Sequence, residues 1–498
     1  MTAVQADPMT WGARIRQLAQ AHPEKRAIIF VPREGDHRPV SYAELDLASC
    51  QAAHLLAARG TDSTSMVVVA LPNCPEHYFA TLGAWQLGAL VLPLNPGLPP
   101  RERDALLALA EQPVVVHDWE ESPACPTVRL SELCDLSGWE STPLPDVVPR
   151  PGKAIASGGS TGRPKIIIDP NPWIRVPGMS ENDVLWAMGM RPNQTQMIAG
   201  ALYHNTPFGW GLLGLFEDHT LILMEKFDAA RFVDLVERYR VTFSYTVPTM
   251  MHRIARLPDI KDRDLSSLEA VFSTAAPCAP WLKRFWIELI GPDKVNEAFG
   301  AAEAVGACTI SGREWQEHPG SVGRPRRSDL KILDEDLREL PAGEVGEIFM
   351  RPHGDGPTYE YRGAPPVKTS PQGYMSVGDM GWVDREGYLF LADRRVDMII
   401  SGGANIYPAE VEAALTEHPG VADVAVIGIP DEEWGKKVHA VVQPLQLEQA
   451  PTADELDLHV RQRLASYKVP RSYELVAQLP RDEAGKIRRS ALAAERPV

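Results

Sequence analysis

A loop rich in glycine and hydroxyl groups gives the strongest chemical signal in the sequence. Residues 157–165 read Ser-Gly-Gly-Ser-Thr-Gly-Arg-Pro-Lys, so nine residues hold three glycines, three hydroxyls and a lysine. Glycines let backbone N–H groups turn towards an anion, and hydroxyl and ammonium groups add further donors. The loop is not a Walker A motif, because its spacing differs and Ile166 follows Lys165. The pattern predicts phosphate binding by Ser157, Gly158, Gly159, Ser160, Thr161, Gly162 and Lys165.

Four further motifs follow this loop along the chain. Residues 296–303 read Asn-Glu-Ala-Phe-Gly-Ala-Ala-Glu, and residues 378–382 read Gly-Asp-Met-Gly-Trp. Next come Asp-Arg-Arg-Val-Asp at 393–397 with Ser-Gly-Gly-Ala-Asn at 401–405, and Pro-Arg-Asp-Glu-Ala-Gly-Lys at 480–486. In type and order, and across essentially the whole chain, the motifs resemble those of the AMP-forming acyl-CoA synthetase, or adenylate-forming, superfamily. The resemblance is to its acyl-CoA ligase branch.

The resemblance implies an α/β fold and a reaction in two halves. A carboxylate attacks the α-phosphate of ATP, which gives an acyl-adenylate and pyrophosphate; a small domain then rotates, and the thiol of CoA attacks the adenylate. The implied fold has a large N-terminal domain of parallel-sheet αβα layers with a β-barrel-like part, followed by a small mobile α+β domain. We place the two domains at residues 1–393 and 394–498.

The resemblance also assigns roles to single residues, with ATP/AMP, Mg²⁺ and coenzyme A as cofactors. Lys486 supplies a cation for the carboxylate and the α-phosphate, and Glu303 holds Mg²⁺. Asp379 accepts the ribose hydroxyls beside Arg394, and Phe299 offers a flat face to adenine. The other residues implied to bind cofactors are Ala275, Ala276, Gly300, Ala302 and, in the loop of the thioester step, Ser401, Gly402 and Gly403.

The acyl group is implied to enter beside His204. This residue stands where the family has a histidine or aromatic gate, although a lone histidine is often structural. Amino-acid-activating members carry an Asp in this neighbourhood, and residues 203–211 hold none, so the sequence favours another kind of acid. Small residues near the site would leave room for a bulky acyl group, or they would serve close backbone packing. They are Gly209, Gly211, Ala275 and Ala276.

Two departures from the family pattern raise an alternative function. Ala302 stands where the family has Thr, and Val396 stands at the hinge, where Asp or Lys is usual. Losing one hydrogen bond to a charged group costs about 1.5–3 kcal/mol, which would weaken adenylation more than thioester formation. The chain is therefore either a complete acyl-CoA ligase or a thioester-forming specialist that takes its adenylate from a separate ligase. Further alternatives are an enzyme that loads a carrier protein and a non-catalytic nucleotide-binding relative.

The elements that must position these motifs follow from hydrophobic patterning. Residues 41–44 form a capping box that predicts a helix ending near Gly60, and the run 66–71 predicts a buried strand. Buried Val/Leu runs alternating with helices are typical of parallel sheets covered on both faces. From Ser321 the pattern changes to strand–turn–strand, and Pro408 marks the first turn of a helix in the second unit.

Composition excludes several classes of protein. The 498 residues carry 50 Lys and Arg against 66 Asp and Glu, a net charge of −16, which offers no electrostatic footprint for nucleic acid. No apolar run reaches the length of a membrane span, and residues 1–7 lack the apolar core of a signal peptide. The 6 cysteines form no CxxC pair, so we expect a reducing cytoplasmic location. The resemblance implies that the partners are a small-molecule carboxylic acid or its adenylate, and CoA.

Overall fold

The computed structural model describes residues 7–158, 164–178, 184–354, 356–394, 397–401, 404–431, 433–482 and 485–496. Its helices are α1 (Trp11–Ala21), α2 (Tyr42–Ala58), α3 (Pro75–Gln86), α4 (Pro100–Leu107), α5 (Leu130–Cys134), α6 (Val184–Ala187), α7 (Asn205–Phe216), α8 (Ala229–Tyr239), α9 (Pro248–Ala255), α10 (Pro280–Ile290), α11 (Gly312–Glu317), α12 (Pro408–Thr416), α13 (Ala453–Arg461) and α14 (Arg489–Ala494). Its strands are β1 (Arg26–Val31), β2 (Arg38–Ser41), β3 (Met66–Ala70), β4 (Leu90–Pro93), β5 (Pro113–His117), β6 (Thr127–Arg129), β7 (Lys153–Gly158), β8 (Pro164–Asp169), β9 (Thr195–Ile198), β10 (Thr220–Met224), β11 (Phe243–Thr246), β12 (Ala270–Ser273), β13 (Val295–Gly300), β14 (Ala307–Ser311), β15 (Ser321–Arg326), β16 (Ser328–Leu333), β17 (Gly346–Pro352), β18 (Glu360–Arg362), β19 (Lys368–Thr369), β20 (Met375–Ser376), β21 (Asp379–Val383), β22 (Leu389–Arg394), β23 (Ile399–Ser401), β24 (Ala404–Ile406), β25 (Val421–Asp431), β26 (Gly435–Pro444) and β27 (Ser472–Leu475).

The first sheet of the N-terminal part has the strand order β18-β8-β7-β4-β3-β5-β6. Strands β3 to β7 pair in parallel, and β8 and β18 close one edge as antiparallel strands. All five residues of β3 are buried, as a parallel sheet covered on both faces requires. The hairpin of β7 and β8 thus places the two ends of the predicted phosphate loop side by side.

The second sheet combines a parallel part with an antiparallel part. The parallel part runs β13-β12-β11-β9-β10-β1 and carries β2 at its edge. Beyond β13 the pairing becomes antiparallel through β14, β15, β22, β21 and β17. This antiparallel extension corresponds to the β-barrel-like part that the resemblance implies, and residues 299 and 379 line one cleft there.

Helix α3 shows how the layers of the N-terminal part are packed. All twelve of its residues are buried, so it lies between other elements rather than on the surface. It packs against α1, α2 and the strands β3 and β4. At Gly83 an added Cβ would lie 2.8 Å from the backbone nitrogen of Ala53 in α2, so only glycine allows the two helices to approach this closely. The layered αβα prediction is confirmed.

The C-terminal part is a small α+β unit with a core of its own. Strands β25 and β26 form a long hairpin, β27 joins it in parallel, and α12 and α13 pack on it around Val411, Leu415 and Leu456. Pro408 begins α12, as predicted from its rigid φ angle. The boundary between the domains, placed before Arg394, stays a prediction; β22 extends through that residue.

The structure also tests the expectations for the α2 capping box, the cysteines and membrane-spanning segments. Helix α2 has the predicted capping box of Ser41 and Glu44. All 6 cysteines are free thiols; Cys134, at the end of α5, is exposed and so does not serve core packing. Among the described residues, no helix is long and apolar enough to cross a lipid bilayer.

Candidate active site

A cleft between β13 and β21 brings two of the predicted motifs together. Phe299, Gly300, Ala301 and Asp379 line it, with Met350 and Met375 among the remaining lining residues. An aromatic ring beside a half-buried carboxylate suits a nucleoside, because the ring stacks on a base while the carboxylate accepts hydroxyl protons. The structure therefore brings residues 299 and 300 of one motif together with residue 379 of another.

Strand pairing explains why Asp379 and Arg394 lie side by side. They are directly opposite in the antiparallel ladder of β21 and β22. Opposite residues in an antiparallel ladder are neighbours across the two strands. The two positions predicted to bind ribose thus share a register, which the sequence alone does not give.

A tight turn follows Phe299 and presents Glu303. The backbone nitrogen of Ala304 bonds the carbonyl of Ala301 at 3.0 Å, and Ala304 adopts a left-handed φ of 51°. A non-glycine residue in this conformation costs free energy and is common at functional sites. Within the turn Ala302 offers only a methyl group, and Glu303 is 93% buried, with 7% of its surface exposed.

The carboxylate of Glu303 forms a closed set of contacts with two partners. Lys165 Nζ lies 3.2 Å from Glu303 Oε1 and 2.8 Å from the hydroxyl of Tyr361. The Tyr361 hydroxyl donates to the same carboxylate oxygen. Burial, followed by the bond to Glu303, raises the pKa of Tyr361 far above its usual value, so the hydroxyl stays protonated and remains a donor.

Tyr361 is the residue that sequence reasoning missed. It lies in β18, which pairs with β8 so that Tyr361 is opposite Ile167. The sequence gives only a tyrosine in a short segment rich in polar residues and prolines. No pattern along the chain links position 361 with positions 165 and 303.

The residues around Glu303 fit a magnesium site that is completed by nucleotide phosphates. Among the described residues, no group of three or more His, Cys, Asp or Glu side chains is arranged to hold a metal. Mg²⁺ is commonly held by one or two carboxylates together with the phosphates of a nucleotide. A single buried carboxylate beside the phosphate loop agrees with that class.

Part of the predicted phosphate loop lies outside the described residues. Its two ends are described: Ser157 is opposite Lys165, and Gly158 is opposite Pro164, in the hairpin of β7 and β8. Residues 159–163, which include Gly159, Ser160, Thr161 and Gly162, lie outside the described part of the chain. Their role in phosphate binding stays a prediction.

His204 lies at the N-terminus of α7 and its side chain is not used as a helix cap. The ring packs on Tyr203 with centroids 4.5 Å apart, and Nε2 is buried with no hydrogen-bond partner among the described residues. Burial, opposed by Asp482 and reinforced by Lys486, lowers the pKa of His204 to about 4. The imidazole is therefore neutral at pH 7.

The electrostatic effect on His204 also shows where the C-terminal loop lies. Asp482 and Lys486 belong to the predicted lysine motif, and both act on a histidine of the N-terminal part. The loop is braced internally, because the Lys486 backbone nitrogen bonds Asp482 Oδ1 at 2.8 Å. Gly485 allows this loop to lie close to the N-terminal part, because an added Cβ there would lie 2.2 Å from Thr249 Oγ1, at the start of α9. The neighbouring residue Lys486 is exposed.

The small residues expected near the acyl group divide into two sets. Ala275 and Ala276 are exposed on the loop after β12, and Ala275 has a left-handed φ of 75°. Gly209 has open space where a Cβ would be. At Gly211, in contrast, an added Cβ would lie 2.4 Å from the hydroxyl of Tyr78, so this glycine serves close packing and leaves no room for a ligand.

The thioester motif is described only in part. Ser401 ends β23 and is buried within the C-terminal unit. Gly402, Gly403 and the hinge residue Val396 lie outside the described residues, as does the side chain of Arg394. Their predicted roles are not tested by the structure.

Comparison with known families now decides the identity. The AMP-binding enzyme family matches residues 15–359, and the C-terminal domain of AMP-binding enzymes matches residues 410–486. The chain belongs to the AMP-binding enzyme family. This confirms the resemblance to AMP-forming acyl-CoA synthetases and the prediction of an enzyme.

Three relatives illustrate the range of this AMP-binding enzyme family. A feruloyl-CoA synthase of Amycolatopsis is 33% identical, with 90% of this chain and 92% of that protein covered. A fatty acid–acyl-carrier-protein ligase of Streptomyces coeruleorubidus is 29% identical, covering 95% and 94%. The structure of o-succinylbenzoate CoA synthetase of Bacillus subtilis with its acyl-adenylate intermediate aligns with a TM-score of 0.81 and 26% identity over 98% of both chains. That synthetase has also been solved with ATP and a magnesium ion.

Proposed function

We propose that this AMP-binding enzyme converts a bulky carboxylic acid, other than an amino acid, into its CoA thioester through an acyl-adenylate. The observation that carries the proposal is the position of the C-terminal loop. Lys486 lies within electrostatic range of His204, which belongs to the N-terminal part. This position supports a role for Lys486 in activating a carboxylate at the meeting of the two parts of the chain.

The nucleotide half of the reaction uses residues of the N-terminal part. Asp379 and Phe299 would bind the nucleoside in their cleft, and Lys165 with the adjacent loop would bind the phosphates. Glu303 would hold Mg²⁺, which supplies charge neutralisation for the phosphates when bound. Coenzyme A would meet the C-terminal unit through the loop that begins at Ser401.

Lys486 and His204 would have different roles at the reacting carboxylate. Two anions, a carboxylate and an α-phosphate, must approach each other, so a positioned cation lowers the barrier. His204 remains neutral at pH 7 because its pKa is about 4, so it adds no charge of its own. Lys486 therefore supplies the cation, and the imidazole borders the acyl site.

The substrate class rests on the absence of an acidic partner and on the relatives. Residues 203–211 contain no Asp to pair with an α-amino group. Two of the three relatives named above are named for feruloyl and o-succinylbenzoate groups, which are aromatic, and the third is named for fatty acids. Ala275 and Ala276 are exposed, and a Cβ added at Gly209 would meet open space. These observations support an aromatic or otherwise bulky acid.

Two alternatives have specific observations in their favour. A thioester-forming specialist fed by a separate ligase is favoured by Ala302, which lacks the hydroxyl expected there. An enzyme that loads a carrier protein is favoured by the fatty acid–acyl-carrier-protein ligase among the relatives. Both alternatives share the adenylate with the main proposal. The specialist differs in where the adenylate is made, and the carrier-loading enzyme differs in the product.

Mass spectrometry of the products tests the proposal. Wild type, Ala302→Thr and Lys486→Ala would each be incubated with ATP, Mg²⁺, CoA and a panel of aliphatic, aromatic and polycyclic acids. We expect acyl-AMP and acyl-CoA from wild type, and no acyl-AMP from Lys486→Ala. If wild type is silent with acids that Ala302→Thr activates, but converts synthetic acyl-AMP, the specialist function replaces the complete ligase. Transfer to a carrier protein and none to CoA would instead support the carrier-loading enzyme.

A further inference from the structure

The Tyr361 hydroxyl connects the two charged groups on which the nucleotide half-reaction depends. It donates to the carboxylate of Glu303, and it lies 2.8 Å from Lys165 Nζ, from which it accepts. Lys165 Nζ also lies 4.0 Å from the centre of the Tyr361 ring. A neutral hydroxyl thus bridges a cation and an anion that are themselves 3.2 Å apart.

This triangle is built from three distant segments and is shielded from water. Lys165 comes from β8, Glu303 from the turn after β13, and Tyr361 from β18. The side chains of Lys165 and Glu303 are only 18% and 9% exposed. Hydrogen bonds to charged groups are strong where water is excluded, so the hydroxyl restricts where both charges lie.

The lack of a hydroxyl at position 302 makes the Tyr361 hydroxyl more important to this site. Ala302 precedes Glu303 and offers a methyl group where the family pattern has a hydroxyl. Among the described residues, the hydroxyl that bonds Glu303 belongs to Tyr361. The edge strand β18 therefore delivers to this carboxylate a neutral donor that its own turn lacks.

We propose that Tyr361 is a positioning residue for Mg²⁺-dependent ATP binding and that its hydroxyl compensates for Ala302. By holding the carboxylate of Glu303 in one arrangement against the ammonium of Lys165, it prepares that carboxylate for the metal. The proposal rests on the proposed function, because it assigns Glu303 and Lys165 to the nucleotide.

Calorimetric titration with ATP tests this role without relying on turnover. Wild type and Tyr361→Phe would each be titrated with ATP in EDTA and again in excess Mg²⁺. In EDTA we expect the two affinities to agree within about twofold, since the phosphate loop and the nucleoside cleft are intact. In Mg²⁺ we expect Tyr361→Phe to lose about ten- to a hundredfold in affinity, the equivalent of one hydrogen bond to a charged group.

Two further variants make the experiment specific. Tyr359→Phe is the matched control, because it removes a hydroxyl two residues away that accepts from the Val367 backbone nitrogen at 2.8 Å. We expect it to bind ATP as wild type does under both conditions. Ala302→Thr in the Tyr361→Phe background should recover at least tenfold of the lost affinity. The same substitution in wild type should gain less than threefold, because the hydroxyl is already supplied there.

The outcomes separate this proposal from the proposed function. Equal Mg²⁺-dependent affinities for wild type and Tyr361→Phe, or a tenfold gain from Ala302→Thr alone, would overturn the role of Tyr361. Melting temperatures of all variants would be compared, and a loss of ATP affinity in EDTA as well would mark a purely structural role. Failure of wild type to form acyl-CoA from acid or adenylate, with the ATP titrations as expected, would overturn the ligase function and leave the positioning role of Tyr361 in place.

Discussion

A buried ion pair lies on the strand that carries Phe299 of the cleft. Lys283 of α10 is fully buried, and its Nζ lies 2.5 Å from Glu297 Oε2 in β13, two residues before Phe299. The pair joins the helix after the loop of Ala275 to the strand that carries the aromatic wall. Burying both charges is costly, and their attraction offsets that cost only while both are present.

We expect Lys283→Met to destabilise the protein by about 3–5 kcal/mol, because it leaves Glu297 as an unpaired buried charge. The double variant Lys283→Met/Glu297→Leu should recover most of this loss, since an apolar pair of similar volume is often neutral. Urea denaturation of wild type, both single variants and the double variant gives the coupling free energy. Additive losses in the double variant would show that the pair does not act as a unit.

Residue types alone did not reveal this pair. Lys283 reads as a polar position in an amphipathic helix, and Glu297 reads as part of the motif at 296–303. Neither position carries a signal for burial. Only the packing of α10 on β13 brings them together, because the contact depends on how the helix lies across the sheet.

At the scale of elements, helix α3 sets a pH dependence of stability. His77 is fully buried in α3, and neither ring nitrogen has a hydrogen-bond partner among the described residues. Burial lowers its pKa from 6.5 to about 3. His219, just before β10, is also buried, which lowers its pKa to about 4. The unfolded chain therefore takes up protons below pH 6.5 that the folded chain excludes.

We expect the free energy of unfolding to fall as the pH drops from about 6.5 towards 4. His77 alone contributes up to about 1.4 kcal/mol per pH unit in that window, because the unfolded state binds the additional proton. His77→Leu should reduce this slope by about that amount. Urea denaturation at pH 7.5, 6.5 and 5.5 measures the slope, and His22→Leu serves as a control at an exposed position. An unchanged slope in His77→Leu would contradict the assignment.

At the scale of the whole molecule, a second contact joins the two parts of the chain. Arg256, just after α9, donates to the backbone carbonyl of Thr416 at 3.1 Å. Trp281 of α10 donates through Nε1 to Thr416 Oγ1 at 3.3 Å, and the guanidinium of Arg256 lies 5.4 Å from the Trp281 ring. Both contacts hold the end of α12 against the N-terminal part and so keep the loop of Lys486 near His204.

We expect Arg256→Ala to lower the rate of adenylate formation by about tenfold, because each lost hydrogen bond weakens the docked arrangement by roughly 0.5–1.5 kcal/mol or more. The transfer of synthetic acyl-AMP to CoA should change by less than about threefold, since we propose that the C-terminal unit leaves this position for that step. Pyrophosphate release and acyl-CoA formation measure the two rates separately. Arg253→Ala, an exposed position on the same helix, is the matched control. Equal losses in both half-reactions would argue against a docking role.

The sequence by itself determined the family, the order of the motifs and the character of most elements. The phosphate loop, Glu303, Asp379 and Lys486 were recognisable because their chemistry is local and their spacing is short. Alternating Val-rich runs and helices predicted the covered parallel sheets, since burial on both faces leaves a continuous apolar pattern. Local patterns also placed the capping box of α2 and the start of α12.

The tertiary structure decided what lies next to what. Pairing of β18 with β8 places Tyr361 beside Glu303, and the ladder of β21 and β22 sets Asp379 opposite Arg394. The contact of Tyr78 with Gly211 shows that this glycine serves packing, where small size alone had left a ligand or packing equally open. These outcomes depend on contacts between segments far apart in the chain. Such contacts are fixed by how sheets and helices pack together, and a pattern read along the chain carries no record of them.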